Sequence, residues 1–232
     1  MLRENAKEEV LKSEGNAYFQ RNLKDGKIEI AKGCLLFDEF LEKYQGIHKN
    51  MKILEIGCCY GYNLTYLCRK YELEGYGIEP SREAVDYGND VIKQDQISKV
   101  ILSQGTADKL NFQSEYFDIV MMAFCMFWVD RKYVMRAVAE ADRVLKTGGG
   151  VLAVWDFDTR TPYRRVNVHN EKVPTYKYEL AELFLGNPQY YLAEKRPFSH
   201  IGKGFHQDIQ ERCALNVFYK DTVEDAYMFS EQ

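Results

Sequence analysis

The 232-residue chain has no apolar run near the roughly 20 residues that a membrane-spanning helix needs, so no span is predicted. It also lacks a net positive charge: the formal net charge is −4, which argues against a nucleic-acid-binding surface. The amino terminus, MLRENAKEEVLKSEGN, has no apolar core of the kind found in signal peptides. We therefore expect a cytoplasmic protein without a nucleic-acid partner.

Cysteine spacing gives a further exclusion. The six cysteines form no C-x-x-C pair, so neither a structural zinc site nor a disulfide framework is indicated, and we expect reduced thiols and no metal. Proline is scarce, with five copies, and three of them lie between residues 158 and 188. No internal repeat or low-complexity tract is present. One ordinary globular core is the expectation.

Strand-like and helix-like apolar patterns alternate along the chain. Strands are predicted at 52–56, 74–79, 99–106, 116–124, 151–157, 189–196 and 213–220, and helices at 28–45, 62–71, 82–94 and 131–145. Such alternation predicts an α/β, Rossmann-like fold: a seven-stranded, mostly parallel sheet with helices on both faces. We interpret residues 1–48 as an amino-terminal helical lid and 49–232 as the main domain, with 158–188 as an insertion on the substrate side.

The stretch KILEIGCCYGYNLTYL (52–67) predicts a strand, a glycine turn and a helix, an arrangement that often binds a nucleotide-like cofactor. Gly57 and Gly61 supply small residues at the turn, whereas Cys59 stands where glycine is usual. Glu79 ends the next strand, about 20 residues further on, where a carboxylate can accept the hydroxyls of a ribose. A dinucleotide fingerprint would need glycine at position 62, which is tyrosine, so a nicotinamide dehydrogenase is a weaker alternative.

Four segments in order, LEIGCCYGYN, GIEPS, GTADKLNFQSEYFDIVMMAF and EADRVLKTGGGVLAVWDF, resemble the motifs of class I S-adenosylmethionine-dependent methyltransferases. The resemblance covers roughly residues 50–157, and it implies S-adenosylmethionine as cofactor. Two residues depart from the family pattern: Cys59 replaces a glycine and Thr147 a proline. Cysteine is small, so we expect the turn to tolerate it.

The resemblance also implies roles for individual residues. Glu55 and Gly57 would face the methionine end, Glu79 would bind the ribose, and Asp108 would accept from the adenine amine. Phe124 and Cys125 would border the sulfonium. The full set of expected cofactor-binding residues is Tyr18, Arg21, Glu55, Gly57, Cys58, Cys59, Gly61, Asn63, Glu79, Pro80, Ala107, Asp108, Phe124 and Cys125.

The segment EGNAYFQRN (14–22) mixes aromatic and polar groups. We interpret it as part of the lid, with Arg21 placed to bind a carboxylate or phosphate in a two-pronged contact; an amphipathic helix that merely packs on the domain is the alternative. The expected substrate-binding residues are Phe19, Trp128, Tyr176 and Tyr178, although each is equally consistent with packing.

An alcohol acceptor must lose a proton during methylation, so a base is expected near the methyl group. The candidates are Asp156, which ends the fifth strand, together with His169 and His200. For each histidine a surface or structural role is the alternative. Arg164 and Arg165 either meet an anionic substrate or form a solvated pair.

A looser resemblance, over nearly the whole chain, is to bacterial small-molecule methyltransferases that accompany capsule, lipopolysaccharide or specialised-metabolite pathways. It implies a sugar, nucleotide-linked or phosphoryl-bearing small-molecule acceptor. We favour oxygen as the methylated atom. N-methylation and a non-catalytic cofactor-binding protein of the same fold are the alternatives. NPQY (187–190) lies too far along the chain for the DNA-methyltransferase motif that it resembles and is interpreted as a turn. The oligomeric state is left open, with a homodimer as one alternative.

Overall fold

Five parallel strands form most of the main sheet. In the computed structural model, which describes residues 6–22, 29–97, 99–201 and 204–227, strands β1 to β5 are Lys52–Ile56, Glu74–Glu79, Val100–Gln104, Ile119–Ala123 and Gly150–Phe157. β1 pairs in parallel with β2 and β4, and β2 with β3. Strands β2 and β3 extend the sheet on one side of β1, whereas β4 and β5 extend it on the other side. This switch leaves a crevice at the carboxyl ends of the central strands.

Two long antiparallel strands complete the sheet. A two-stranded hairpin in the insertion, β6 and β7, precedes them, so they are β8 (Tyr190–Ser199) and β9 (Arg212–Lys220). β9 lies antiparallel between β5 and β8, which gives the order β3-β2-β1-β4-β5-β9-β8. The small hairpin pairs Tyr163–Arg165 with Thr175–Lys177. The predicted seven-stranded, mostly parallel sheet is confirmed.

Helices cover both faces of the sheet. Their bounds are α1 Ala6–Glu9, α2 Gly15–Asn22, α3 Lys32–Leu41, α4 Tyr62–Tyr71, α5 Arg82–Gln94, α6 Val134–Val144 and α7 Val223–Ala226, with a π-helical turn at Val10–Glu14 and 3₁₀ turns at Met126–Trp128 and Leu180–Leu183. Because the π-helical turn joins α1 to α2, residues 6–22 form one continuous amino-terminal helix. Among the described helices, none combines the length and apolarity needed to cross a bilayer.

Alternation along the strands divides the core between the two faces. One cluster packs α3, α4 and α5 against the sheet, and the other packs α6 and the Leu180–Leu183 turn. Ile53 belongs to the first cluster and its neighbour Leu54 to the second. α3 approaches the sheet so closely that a Cβ at Gly33 would overlap the Trp155 ring. This position therefore needs glycine.

Some predicted element ends are corrected by the structure. The helix predicted at 28–45 is described as Lys32–Leu41, with residue 28 outside the described residues. The strand predicted at 116–124 is shorter because Phe124 adopts φ 45°, a left-handed conformation that cannot continue a strand. The helix predicted at 131–145 begins at Val134, after a turn whose backbone bond runs from Tyr133 N to Asp130 O.

Candidate functional site

A cavity of about 370 Å³ lies at the carboxyl ends of β1, β2 and β4, beneath the amino-terminal helix. Its wall combines the turn after β1, the end of β2, residues 105–108 after β3 and residues 123–130 after β4. The predicted site residues on this wall are Tyr18, Phe19, Gly57, Cys59, Glu79, Pro80, Ala107, Asp108, Phe124, Cys125, Trp128 and His200. The other predicted residues lie behind the wall or away from it.

The glycine turn follows β1 with three left-handed residues. Gly57 has φ 77° and Gly61 has φ 81°, which suits glycine, and Cys59 has φ 51°. Left-handed backbone costs a non-glycine residue about 1–2 kcal/mol, which explains why glycine is usual at position 59. A Cβ at Gly57 would overlap that of Cys125, so this glycine also lets the β1 and β4 loops meet. Gly61 and Cys58 are part of the turn but not of the cavity wall.

Glu79 lies on the wall at the end of β2, with its carboxylate fixed by backbone. It accepts hydrogen bonds from Cys59 N and Ser81 N, each at 2.9 Å. Burial raises the pKa of Glu79, and these two N–H groups oppose that effect. The Cys59 peptide thus holds the acid in place through its backbone, a contact that does not depend on its side chain.

Glu55 is buried behind the glycine turn. Its Oε1 accepts from Asn63 Nδ2 at 3.1 Å, and Asn63 Oδ1 in turn accepts from Ala31 N at 2.9 Å. Its Oε2 is buried and has no hydrogen-bond donor within the part of the chain that the structure describes. Burial raises the pKa of Glu55 to about 8.

Asp108 lies at the far end of the cavity, after β3. Its carboxylate pairs with Lys7 Nζ at 2.6 Å, and Lys7 also lies over the Tyr133 ring. Burial alone would raise the pKa of Asp108, but the hydrogen bonds from Lys7 and Thr106 outweigh it, so the pKa is lowered. Lys7 lies 101 residues from Asp108 in the chain, and no local sequence pattern indicated this contact.

The amino-terminal helix covers the cavity with its Lys7, Glu14 and Tyr18 side chains. The Tyr18 ring meets the Trp128 ring edge to face, with 5.7 Å between centroids, so the helix contacts the loop after β4. Burial raises the pKa of Tyr18 to about 12. Arg21 is not on the wall: it pairs with the buried carboxylate of Glu14 at 2.5 Å, and Glu14 was not predicted.

Another part of the cavity wall is aromatic and includes a histidine. The His200 ring packs beside Phe124 and Phe157, with centroids 5.9 and 5.3 Å away. His200 Nδ1 lies 3.4 Å from Glu211 Oε2, a buried oxygen without a hydrogen-bond donor among the described residues.

The remaining candidates lie off the wall. Asp156 accepts backbone hydrogen bonds, His169 is exposed in the insertion, and Tyr176 and Tyr178 surround Arg131. Arg164 and Arg165 are exposed on β6, and the NPQY segment forms a turn closed by Tyr190 N and Asn187 O. The structure therefore brings most of the predicted cofactor-binding residues to one cavity wall, together with Trp128 and His200.

The wall fits S-adenosylmethionine, which carries a sulfonium cation and a ribose. Four carboxylates line it, from Glu14, Glu79, Asp108 and Asp130, and Lys7 is its one lysine or arginine among the described residues. An acidic wall favours a cation.

Comparisons with known proteins agree with this geometry. Residues 54–153 match the family described as a methyltransferase domain. A 111-residue segment is 28% identical to the uncharacterized methyltransferase YcgJ of Bacillus subtilis, covering 48% of this chain and 43% of that protein. Matches to the first three curated relatives cover 43%, 40% and 51% of their lengths, so the chain spans about half of each.

Solved structures share the fold at low identity. One is the Burkholderia thailandensis 1,6-didemethyltoxoflavin-N1-methyltransferase with bound S-adenosylhomocysteine: TM-score 0.70, 12% identity, covering 91% of this chain and 88% of that one. Another is the [4+2]-cyclase SpnF: TM-score 0.65, 17% identity, covering 82% and 81%. Residues 54–153 therefore match a methyltransferase domain, within a fold that the solved structures share.

Proposed function

We propose that the protein transfers a methyl group from S-adenosylmethionine to an oxygen of a small-molecule acceptor. The observation that carries the proposal is a single cavity whose wall combines Glu79 and Asp108 with Trp128 and His200. Bound S-adenosylmethionine supplies an electrophilic methyl group on a sulfonium. Glu79 would bind the ribose hydroxyls, Asp108 the adenine amine, and the buried Glu55 a donor at the methionine end.

His200 is the proposed base. Its ring borders the cavity beside Phe124, and its Nδ1 faces Glu211 Oε2 at 3.4 Å. With Glu211 at Nδ1, the free Nε2 is the atom that would take the proton from an acceptor hydroxyl. The His200 side chain is about half exposed, so a proton taken up by its imidazole can pass on to solvent.

The acceptor side is lined by Phe124, Phe127, Trp128 and Tyr133. These rings suit an acceptor with a flat or apolar face, and a sugar or nucleobase ring can pack on them. A phosphoryl group would need a cation, and Lys7, the one lysine or arginine on the described wall, is paired with Asp108. We therefore keep sugar and nucleotide-linked acceptors in the proposal and treat phosphoryl recognition as a separate arm of its test.

Residues 1–48 are proposed to act as a lid. Within them, helix 6–22 covers the cavity and contacts the rest of the protein at several places, among them its Tyr18 ring against Trp128. Asn16 contacts Ser81 and Glu83 near the start of α5, and Lys7 contacts Asp108. Cofactor entry would require at least one of these attachments to open.

The test is an acceptor screen with methyl-labelled S-adenosylmethionine. The panel holds hydroxyl-bearing sugars, nucleosides and aromatic alcohols, each with and without a phosphoryl group, and amines as a further arm. For a productive alcohol, His200→Ala is expected to lower kcat by about 10²–10⁴-fold while leaving cofactor affinity unchanged. Glu211→Gln should lower kcat less, because it alters only the orientation of the base. Transfer to alcohols at full rate in His200→Ala would overturn the assigned base.

N-methylation is the second candidate, and it is favoured by the structural neighbour described as an N1-methyltransferase. A neutral ring nitrogen needs little base assistance, so His200→Ala would then leave kcat nearly unchanged and amines would be the productive arm. A non-catalytic cofactor-binding role is the third candidate, since a protein described as a [4+2]-cyclase has this fold and the fold alone does not imply methyl transfer. Binding of the cofactor with no transfer to any class of acceptor would favour it.

A further inference from the structure

The turn after β4, Met126–Val129, presents Phe127 and Trp128 to the cavity and is held from the side of its N–H groups by Asp156. Asp156 Oδ2 accepts from Phe127 N at 3.2 Å, while its Oδ1 accepts from Phe157 N at 2.7 Å. Asp156 is almost fully buried at the end of β5 and does not reach the cavity wall. Its carboxylate therefore acts on the backbone of the turn, not on a ligand.

Arg131 holds the same turn from the side of its carbonyl groups. Its guanidinium donates to Met126 O at 2.7 Å and, through both Nε and a terminal nitrogen, to Val129 O. The planar, rigid fork of arginine allows one side chain to bind two carbonyls of a short turn at once. Lysine has no planar fork, so its ammonium would keep only part of these contacts.

The insertion supplies the outer support for Arg131. The guanidinium donates to Tyr178 Oη at 3.1 Å and lies 4.5 Å from the centre of the Tyr176 ring. The predicted substrate-binding pair, Tyr176 and Tyr178, thus contacts Arg131 and is absent from the cavity wall. Both rings are in or beside β7, so this contact connects the insertion to the turn.

We propose that Arg131 is a positioning residue that, together with Asp156, fixes the Met126–Val129 turn so that Phe127 and Trp128 form a rigid acceptor wall. That these rings meet the acceptor rests on the proposed function, whereas the clamp itself rests only on the contacts above. Arg131 and its tyrosine partners are half-buried, so loss of the clamp should loosen the turn without unfolding the core.

The turn carries its own reporter. The chain has two tryptophans: Trp128, half-buried in the turn, and Trp155, fully buried in the core. Acrylamide quenching of fluorescence should therefore report mainly Trp128, and Trp128→Phe verifies the assignment. Because Trp128 also meets Tyr18 edge to face, a loosened turn exposes it to the quencher.

The experiment compares Arg131→Met and Arg131→Lys with the wild type and with Lys132→Met, an exposed neighbour that controls for the lost charge. Arg131→Met should raise the quenching constant of Trp128 at least about twofold, because its side chain donates no hydrogen bond to the turn. Arg131→Lys should raise it less, because an ammonium keeps part of the contacts of the guanidinium. Tyr178→Phe, which removes one hydrogen bond, should raise it less. Lys132→Met should leave it unchanged.

Affinity for S-adenosylhomocysteine, measured by calorimetry, separates this proposal from the proposed function. We expect it to change less than about threefold in the Arg131 variants, because the cofactor side is untouched. Unchanged quenching in Arg131→Met, or equal quenching in Arg131→Met and Lys132→Met, would overturn the clamp. Absence of S-adenosylhomocysteine binding in the wild type would overturn the cofactor assignment and leave the quenching result standing.

Discussion

The proposed cofactor side and the proposed acceptor side of the cavity are built on different principles. On the proposed cofactor side, the loops at the ends of β1, β2 and β3 bring most of the wall residues, such as Cys59, Glu79 and Asp108, and Lys7, which pairs with Asp108 across 101 residues, is the exception. On the proposed acceptor side, residues distant in the chain hold one another: Arg131 and Tyr178 are 47 residues apart, and Phe127 and Asp156 are 29 apart. Local motifs therefore describe most of the first side, and only tertiary structure describes the second.

Glu79 and Asp156 make the contrast specific. Both are buried acids at the carboxyl ends of parallel strands, and both accept two backbone N–H groups. Glu79 also borders the cavity, whereas Asp156 lies off the wall and both of its carboxylate oxygens accept backbone N–H groups. An acid at a strand end is thus a site candidate, and its hydrogen-bond partners decide whether it can serve a ligand.

The strongest way to break the cofactor side is Gly57→Ala. The added Cβ would overlap that of Cys125, and the alanine must also adopt φ 77°. We therefore expect a loss of about 2–4 kcal/mol of unfolding free energy. Urea titration measures it. Gly186→Ala is the matched control, because its Cβ would meet no atom closer than 3.9 Å and its cost should stay within about 1 kcal/mol. Equal costs would contradict the close approach of the two loops.

Removing Glu79 should affect binding more than any change on the acceptor side. Glu79→Ala deletes the charged acceptor proposed for the ribose, and we expect about 100-fold weaker binding of S-adenosylhomocysteine by calorimetry, or roughly 2.7 kcal/mol. Glu74→Ala, at the other end of the same strand, should bind as the wild type does. Unchanged affinity in Glu79→Ala would refute its role at the ribose.

The pH dependence of stability compares one buried acid from each side. The folded pKa of Glu55 is about 8 and that of Asp156 about 7, both raised by burial from ordinary values of 4.5 and 3.8. The folded state therefore retains protons that the unfolded state releases, so stability is greatest below pH 4 for these groups and falls as pH rises to about 8.

We expect Glu55→Gln to lose less stability than the wild type between pH 5 and pH 8.5, by about 2 kcal/mol. Asp156→Asn should flatten the curve in the lower part of that range. Urea titrations across the range measure both effects, with Glu74→Gln as a control. Curves that run parallel to the wild type would show that neither acid holds its proton in the folded protein.

The smallest expected effect is at Cys59. Cys59→Gly relieves left-handed strain of about 1 kcal/mol but frees the unfolded chain by a similar amount, so stability should change by less than about 1 kcal/mol. The Cys59 N–H still reaches Glu79, so cofactor affinity should persist. Cys59→Val, with a branched Cβ at φ 51°, should cost more than either residue. A stable Cys59→Val would argue against the strain.

The sequence predicted the sheet and the cofactor side because both depend on local patterns: apolar runs of strand length, the 57–61 turn, and Glu79 at a fixed distance from it. It could not predict the direction of Asp156, because β5 is buried on both faces and shows no alternation that would mark one. Lys7, Glu14, Arg131 and Glu211 were missed because each acts through a partner that the fold, not the local sequence, brings near. The role of site residues toward ligands stays a prediction until binding is measured.

The most direct test of the central claim is calorimetric titration of the wild-type protein with S-adenosylmethionine, S-adenosylhomocysteine and NAD. The account predicts one site with a Kd on the order of micromolar for the first two ligands, and no comparable binding of NAD. Binding of NAD in preference to both methyl-donor ligands, or no binding of S-adenosylmethionine and S-adenosylhomocysteine at all, would contradict it.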